Sequence, residues 1–209
     1  MKQIDLFPRE GHDPGGKVRI KLDVDMVGDA GFSGPDDCYR TWLSRNWTPP
    51  TKIIDVDGYA LWIGMNPSTA DASVDDPTIK KEIKFTKGLG LGGLIKCNVM
   101  NFRATYPADL LKPLVIPRSD DNLPMIIGFA LSARKIILCY GDLKPELRRY
   151  GVETVAALQQ AGHELWCLGI TNGGSPRHPL YVKESTSLVT LKEAQKEAHR
   201  LSHLGLKRS

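Results

Sequence analysis

The sequence predicts an α/β fold: a three-layer α/β/α arrangement around a four-stranded, mainly parallel sheet, with a β-rich N-terminal annex and a C-terminal helix. Three observations predict it. Short apolar runs alternate with helix-like segments from Lys52 onward, the order expected of βαβ units. The runs are apolar at consecutive positions rather than alternate ones, as strands covered on both faces require. Each run also ends in a turn-forming or polar cluster.

The elements follow in order. In the first fifty residues Gly11, Pro14, Gly15, Gly16, Gly28, Gly31, Gly34 and Pro35 break any long period. Residues 1–16 read as a loose tail. Val18–Leu22 and Tyr39–Leu43 alternate and read as strands of a hairpin or edge layer, and Pro49-Pro50 closes this section. Tyr59–Ile63 is the first core strand. Asp76-Pro77 is a helix start, with Asp76 as N-cap and Pro77 in the first turn, and the helix runs to about Leu89. Leu94–Val99 is the second core strand. A Pro-rich loop precedes a helix over 122–133. Lys135–Tyr140 is the third strand. A helix over 152–160 is closed by Gly162, and Glu164–Leu168 is the fourth strand. An amphipathic helix over 191–204 follows. The expected organisation is an annex over 1–51, an α/β core over 52–182 and a helical segment over 183–209 packed on the core.

Composition excludes several classes. The chain has 209 residues, 41% hydrophobic and 25% charged, as an ordinary globular domain has. No run approaches the ~20 apolar residues of a membrane span, and no signal peptide opens it, so no membrane partner and a cytoplasmic location are expected. The cysteines Cys38, Cys97, Cys139 and Cys167 are scattered and form no CxxC pair. Free buried thiols are expected, with no metal site and no cofactor. The formal charge of +4 allows a nucleic-acid partner without establishing one. Gly88–Gly93 can be read as GxGxxG, but it follows a helix and precedes a strand, the reverse of a dinucleotide site.

In open α/β sheets ligands sit beyond the carboxyl ends of the strands. Here those ends carry the unusual residues. Gly64-Met65-Asn66-Pro67-Ser68 follows strand one. Asn98, Asn101 and Arg103 follow strand two, and Gly141-Asp142 strand three. Arg177-His178-Pro179-Leu180-Tyr181 lies beyond strand four. Four clusters at one edge point to a site, although the same residue types also form turns.

Gly64-Met65-Asn66-Pro67 resembles the first motif of the uracil-DNA glycosylase superfamily, GINP or GMNP in its mismatch-specific and single-strand-selective members. His178-Pro179-Leu180 is similar to the last motif, usually HPSPL, here without the inserted Ser-Pro. Asn98 resembles the base-reading asparagine, and Leu138-Cys139-Tyr140-Gly141 the third strand with its trailing glycine. The order and spacing hold over roughly residues 52–182. A closer resemblance is to a group of bacterial and phage proteins sharing NPSTAD, DDPT, NxxxxRAT and PRHPLY blocks, here Asn66–Asp71, Asp75–Thr78, Asn98–Thr105 and Pro176–Tyr181. No counterpart of the superfamily's base-stacking phenylalanine follows the first motif.

The resemblance implies a DNA glycosylase-like protein acting in DNA repair or modification. It would hydrolyse the N-glycosidic bond of a deaminated or modified pyrimidine flipped into the cleft, without a metal or cofactor. Such chemistry stabilises a departing base anion and places a water. The expected catalytic residues are Asn66, which holds the water and base edge, and His178, which donates to a base carbonyl. Asp71 and Asp75 are carboxylates for the proton that an amide cannot take; with Asp76 they read equally as turn and cap residues. Gly64, Met65, Pro67, Ser68, Asn98 and Asn101 are the expected substrate contacts. Arg103 and Arg177 would hold phosphates, and Leu180 and Tyr181 would fill the stack left by the base. DNA, single- or double-stranded, is the implied partner. The alternative is a non-catalytic nucleic-acid or modified-base binding protein of the same fold.

Overall fold

The computed structural model describes residues 19–47, 58–68 and 70–203, with the backbone alone at 202 and 203. The expected tail over 1–16 and the boundary at 51/52 lie outside the described residues. The elements in order are β1 (Ile20–Lys21), β2 (Val27–Ser33), β3 (Tyr39–Asn46), β4 (Tyr59–Gly64), β5 (Val74–Asp75), α1 (Pro77–Gly88), β6 (Gly93–Asn98), α2 (Asn122–Ala130), β7 (Lys135–Leu138), α3 (Arg148–Gln160), β8 (Leu165–Cys167), β9 (Val189–Thr190) and α4 (Leu191–His203).

A seven-stranded mixed sheet orders these strands β2-β3-β6-β4-β7-β8-β9. The central four, β6, β4, β7 and β8, are parallel. The expected parallel core is present, but the sheet is larger than four strands. β3 pairs antiparallel with β6, and β2 antiparallel with β3. The annex strands therefore extend the core sheet. Of the two arrangements open to the annex strands, the hairpin of Val18–Leu22 with Tyr39–Leu43 is not formed: β3 takes β2 at the edge of the sheet, while Ile20–Lys21 pairs with Val74–Asp75. The sequence of β2, VGDAGFS, hides it, because its glycines remove the β-branched signal that marks a strand. One of them, Gly31, is needed for space: a Cβ there would lie 2.2 Å from the Trp42 indole nitrogen.

Alternation along the strands sorts the core into two layers. Tyr59, Leu61 and Ile63 of β4 and Ile95 and Cys97 of β6 face α2, α3 and α4, packing with Ile126, Leu158 and Leu191. Ala60 and Trp62 of β4, Leu94 of β6 and Ile137 of β7 face α1 and pack with Ile79 and Ile83. Burying each of those two isoleucines stabilises by roughly 1.5–3 kcal/mol.

Helix α1 starts where its sequence requires. The Asp76 carboxylate accepts the Ile79 N–H at 3.0 Å, and Pro77, which has no N–H to leave unpaired, takes the first turn. β3 is tied down by Arg45, whose side chain is fully buried. Its Nε donates to Asp75 Oδ1 at 2.7 Å and its Nη2 to the Asp71 carbonyl at 2.6 Å.

Candidate functional site

A cleft of about 650 Å³ opens at the C-terminal ends of β4, β6 and β7, on the face covered by α1. That volume suits a small-molecule or single-nucleotide ligand. The loops after β4 and β6 are laced together to shape it. Val99 N–H donates to the Gly64 carbonyl at 2.9 Å, Met100 N–H to Met65 at 3.0 Å and Ala104 N–H to Pro67 at 3.1 Å. The loops after β7 and β8 are joined by Gly141 N–H to the Pro176 carbonyl at 2.9 Å.

Gly64 and Asn98 stand side by side in register at the cleft floor. Asn98 is 1% exposed, yet among the described residues both its amide oxygen and its amide nitrogen lack a partner. Leaving both ends of a buried amide unpaired costs a few kcal/mol, so the site is built for something that pairs with it. Gly64 makes this floor open. A Cβ there would lie 2.6 Å from Lys96 Nζ and 2.8 Å from Asn98 Oδ1, so any side chain would displace both.

Lys96 lines the same floor from the middle of β6. It is ion-paired with the buried Glu82 of α1, and its ammonium lies 3.3 Å from Cys139 Sγ. Burial works to lower the lysine pKa, but the Glu82 carboxylate paired with it carries it above the ordinary value, so Lys96 stays a cation. Burial pushes the Cys139 thiol up to about 12, which keeps it protonated.

His178 lines the same cleft. Its Nδ1 accepts the Leu180 N–H at 3.4 Å, which leaves the ring proton on Nε2. Burial, and then the Lys96 charge, push its pKa down to about 4, so it is a neutral donor at physiological pH. Asn66 also lines the cleft, but its amide nitrogen is committed to the carbonyls of Ala104 at 2.7 Å and Pro67 at 3.0 Å. Its oxygen is the end left to accept a hydrogen bond from water. Met65, Ser68, Leu180 and Tyr181 complete the lining among the expected residues. Leu180 is 41% and Tyr181 84% exposed, an apolar rim beside the opening. Arg177 lines an adjoining hollow with Asp142, Thr171 and His178.

The structure does not bring every expected residue here. Asp71 accepts the N–H groups of Ser73 and Val74 and pairs with Arg19 at 3.0 Å, the turn role open to it in the sequence. Asp75 is fully buried against Arg45, outside the cleft lining. Burial pushes its pKa up, against the lowering effect of Arg45. Asp76 lines the cleft in their place, still capping α1. Asn101 binds Ser119 through both ends of its amide. Arg103 turns back to the annex, donating to the Asp37 carbonyl at 3.2 Å and covering the Phe32 ring. Pro67 is buried behind the lining, where its carbonyl holds the loop.

Two cationic lining residues, Lys96 and Arg40, escaped the sequence reading. Lys96 carried a signal, a lone charge inside the apolar run of β6. Arg40 carried none, because only the pairing of β3 with β6 brings it to the cleft. It is 3% exposed, donates to the Ala70 carbonyl at 2.7 Å and has an Nε without a partner among the described residues. Burial pulls its pKa down to about 10, still fully charged at neutral pH. Among the described residues no three His, Cys, Asp or Glu side chains converge as a metal site.

A family model described as "Protein of unknown function (DUF1643)" matches residues 40–180. That span runs from β3 through the last cleft motif. No curated protein and no solved structure matches the chain significantly.

Proposed function

The chain belongs to the DUF1643 family, and from its cleft we propose a DNA glycosylase-like protein that hydrolyses the N-glycosidic bond of a flipped, deaminated or modified pyrimidine. One observation carries the reading: the buried Asn98 amide, unpartnered at both ends, on a floor that Gly64 keeps clear. An amide donor beside an amide acceptor matches the paired groups on a base's Watson–Crick edge.

The remaining residues take roles around that contact. His178 Nε2–H donates to a ring carbonyl as negative charge builds on the leaving base, and neutrality suits it because it must give a hydrogen bond without losing a proton. The Asn66 oxygen orients a water toward the sugar. Asp76, a carboxylate lining the cleft, would take that water's proton. Leu180 and Tyr181 at the rim fill the gap left in the stack, and Arg177 contacts the neighbouring phosphate. The test is incubation with single- and double-stranded oligonucleotides carrying uracil, 5-hydroxymethyluracil or bulkier pyrimidines, followed by alkaline cleavage of abasic sites. Strand breaks at the modified position are expected; an intact panel overturns the hydrolytic reading.

A second reading, base binding without hydrolysis, is favoured by a specific feature. The Asn66 nitrogen is committed to the loop, and Asp76 is engaged as a helix cap. An oligonucleotide bound at the cleft and released uncut, with binding lost in Asn98→Ala, would support it.

A further inference from the structure

We propose that Lys96 is a specificity-determining donor: together with the Asn98 amide it makes a donor–acceptor–donor floor that selects a base by its imide edge, the run carbonyl, N–H, carbonyl. This rests on the base-binding reading above and names the group that decides among bases.

The geometry is local. Lys96 Nζ and Asn98 Oδ1 both meet the point that a Gly64 Cβ would occupy, at 2.6 and 2.8 Å. An ammonium has three N–H donors. One is given to Glu82 Oε1 and one to Cys139 Sγ at 3.3 Å. The third is left for the cleft that Lys96 lines. The Asn98 oxygen is the end of the amide nearer the point that a Gly64 Cβ would occupy and the Asn98 nitrogen lies farther from it, and among the described residues neither has a partner.

The order donor, acceptor, donor is complementary to an imide, which offers acceptor, donor, acceptor. Uracil, thymine and their 5-substituted relatives carry that edge. Cytosine offers acceptor, acceptor, donor. It sets a ring nitrogen against the Asn98 oxygen and an amine against the Asn98 nitrogen, and both contacts are repulsive in a buried site. Without Lys96 the Asn98 amide alone could turn over and accept cytosine at its N3 and N4. The fixed positive charge removes that freedom. Glu82 and Cys139 are positioning residues: each takes one ammonium N–H, and the Glu82 carboxylate compensates a charge that is buried.

The experiment titrates the full chain with free uracil and cytosine by calorimetry or NMR. Uracil is expected to bind about tenfold or more tightly than cytosine. In the double variant Lys96→Met/Glu82→Gln, which leaves no buried charge without its partner, that preference is expected to fall to about threefold or less. Wild type binding neither base overturns the base-binding reading itself and the inference with it. Wild type binding both equally, or a folded double variant keeping its full preference, overturns the role of Lys96 alone. If the double variant fails to fold by circular dichroism, 2-thiouracil and 4-thiouracil on the wild-type chain decide. Each keeps the N–H but replaces one carbonyl by a weak acceptor, and each is expected to bind about fivefold or more weakly than uracil. Either one binding as tightly as uracil overturns the three-point floor.

Discussion

At the residue scale the cleft turns on Gly64, Asn98 and His178. Gly64→Ala adds a methyl where Lys96 Nζ and Asn98 Oδ1 already stand, so ligand binding should fall at least about tenfold while the chain stays folded. Titration alongside a thermal melt checks both halves. For His178 the expected loss in His178→Ala is about 10²–10³ in turnover with little change in affinity, the signature of a donor that matters as charge builds. The same residue sets a pH response. Its folded pKa of about 4 lies below the ordinary histidine value of 6.5, so the unfolded chain binds the extra proton first. The stability it contributes is complete above pH 6.5 and is lost as pH falls toward 4. Because the ring is partly exposed, the loss is on the order of 1–2 kcal/mol. Denaturant melts across that window should show a slope that His178→Gln lacks; equal slopes in both proteins would remove the buried, neutral histidine from the account.

At the element scale, α1 does two things at once. Its N-terminus borders the cleft, and its buried face carries Glu82 to the floor. Asp76→Ala should cost about 1 kcal/mol through the lost cap. Asp76→Asn keeps a capping oxygen and removes the charge. Near-normal stability with lost turnover in Asp76→Asn is the outcome expected if the carboxylate takes the water's proton; normal turnover in that variant excludes it. The Glu82–Lys96 pair also ties α1 to β6. Lys96→Met alone leaves Glu82 buried and uncompensated, and should destabilise by about 3–5 kcal/mol, with most of the loss recovered when Glu82→Gln is added. Chemical denaturation of the wild-type chain and the two variants measures that coupling.

At the scale of the whole molecule, the annex strands are part of the sheet rather than an appendage. β2 and β3 continue it beyond β6, and Arg45 pins β3 to β5 through a fully buried ion pair with Asp75. The annex thereby delivers Arg40 to the cleft. Binding to a single-stranded oligonucleotide should weaken as salt rises, with log K linear in log salt at a slope of about −0.7 per phosphate contact. A slope near zero would mean that the chain contacts no phosphate, and that the cleft takes a free base or nucleoside instead.

Local signals sufficed for much of this. The helix start at Asp76-Pro77, the apolar strands β4, β6 and β7, and the polar clusters at their ends were legible because caps, burial and turn chemistry act over a few residues. The sequence also singled out Asn66, Asn98 and His178, which the fold brings to one cleft. It could not rank the acids, since Asp71, Asp75 and Asp76 are adjacent and chemically alike. Only the placement of β1 and Arg45 engages the first two and leaves Asp76 at the opening. Nor could it pair β2 with β3, because register across a sheet depends on partners distant in the chain. What the sequence determined by itself is the α/β order and which strand ends carry unusual chemistry. What tertiary structure decided is which buried groups meet: Lys96 with Glu82 and the Cys139 thiol beside Gly64, groups up to 57 positions apart. The reason is physical, since a buried charge is tolerated only where the fold brings its partner to it.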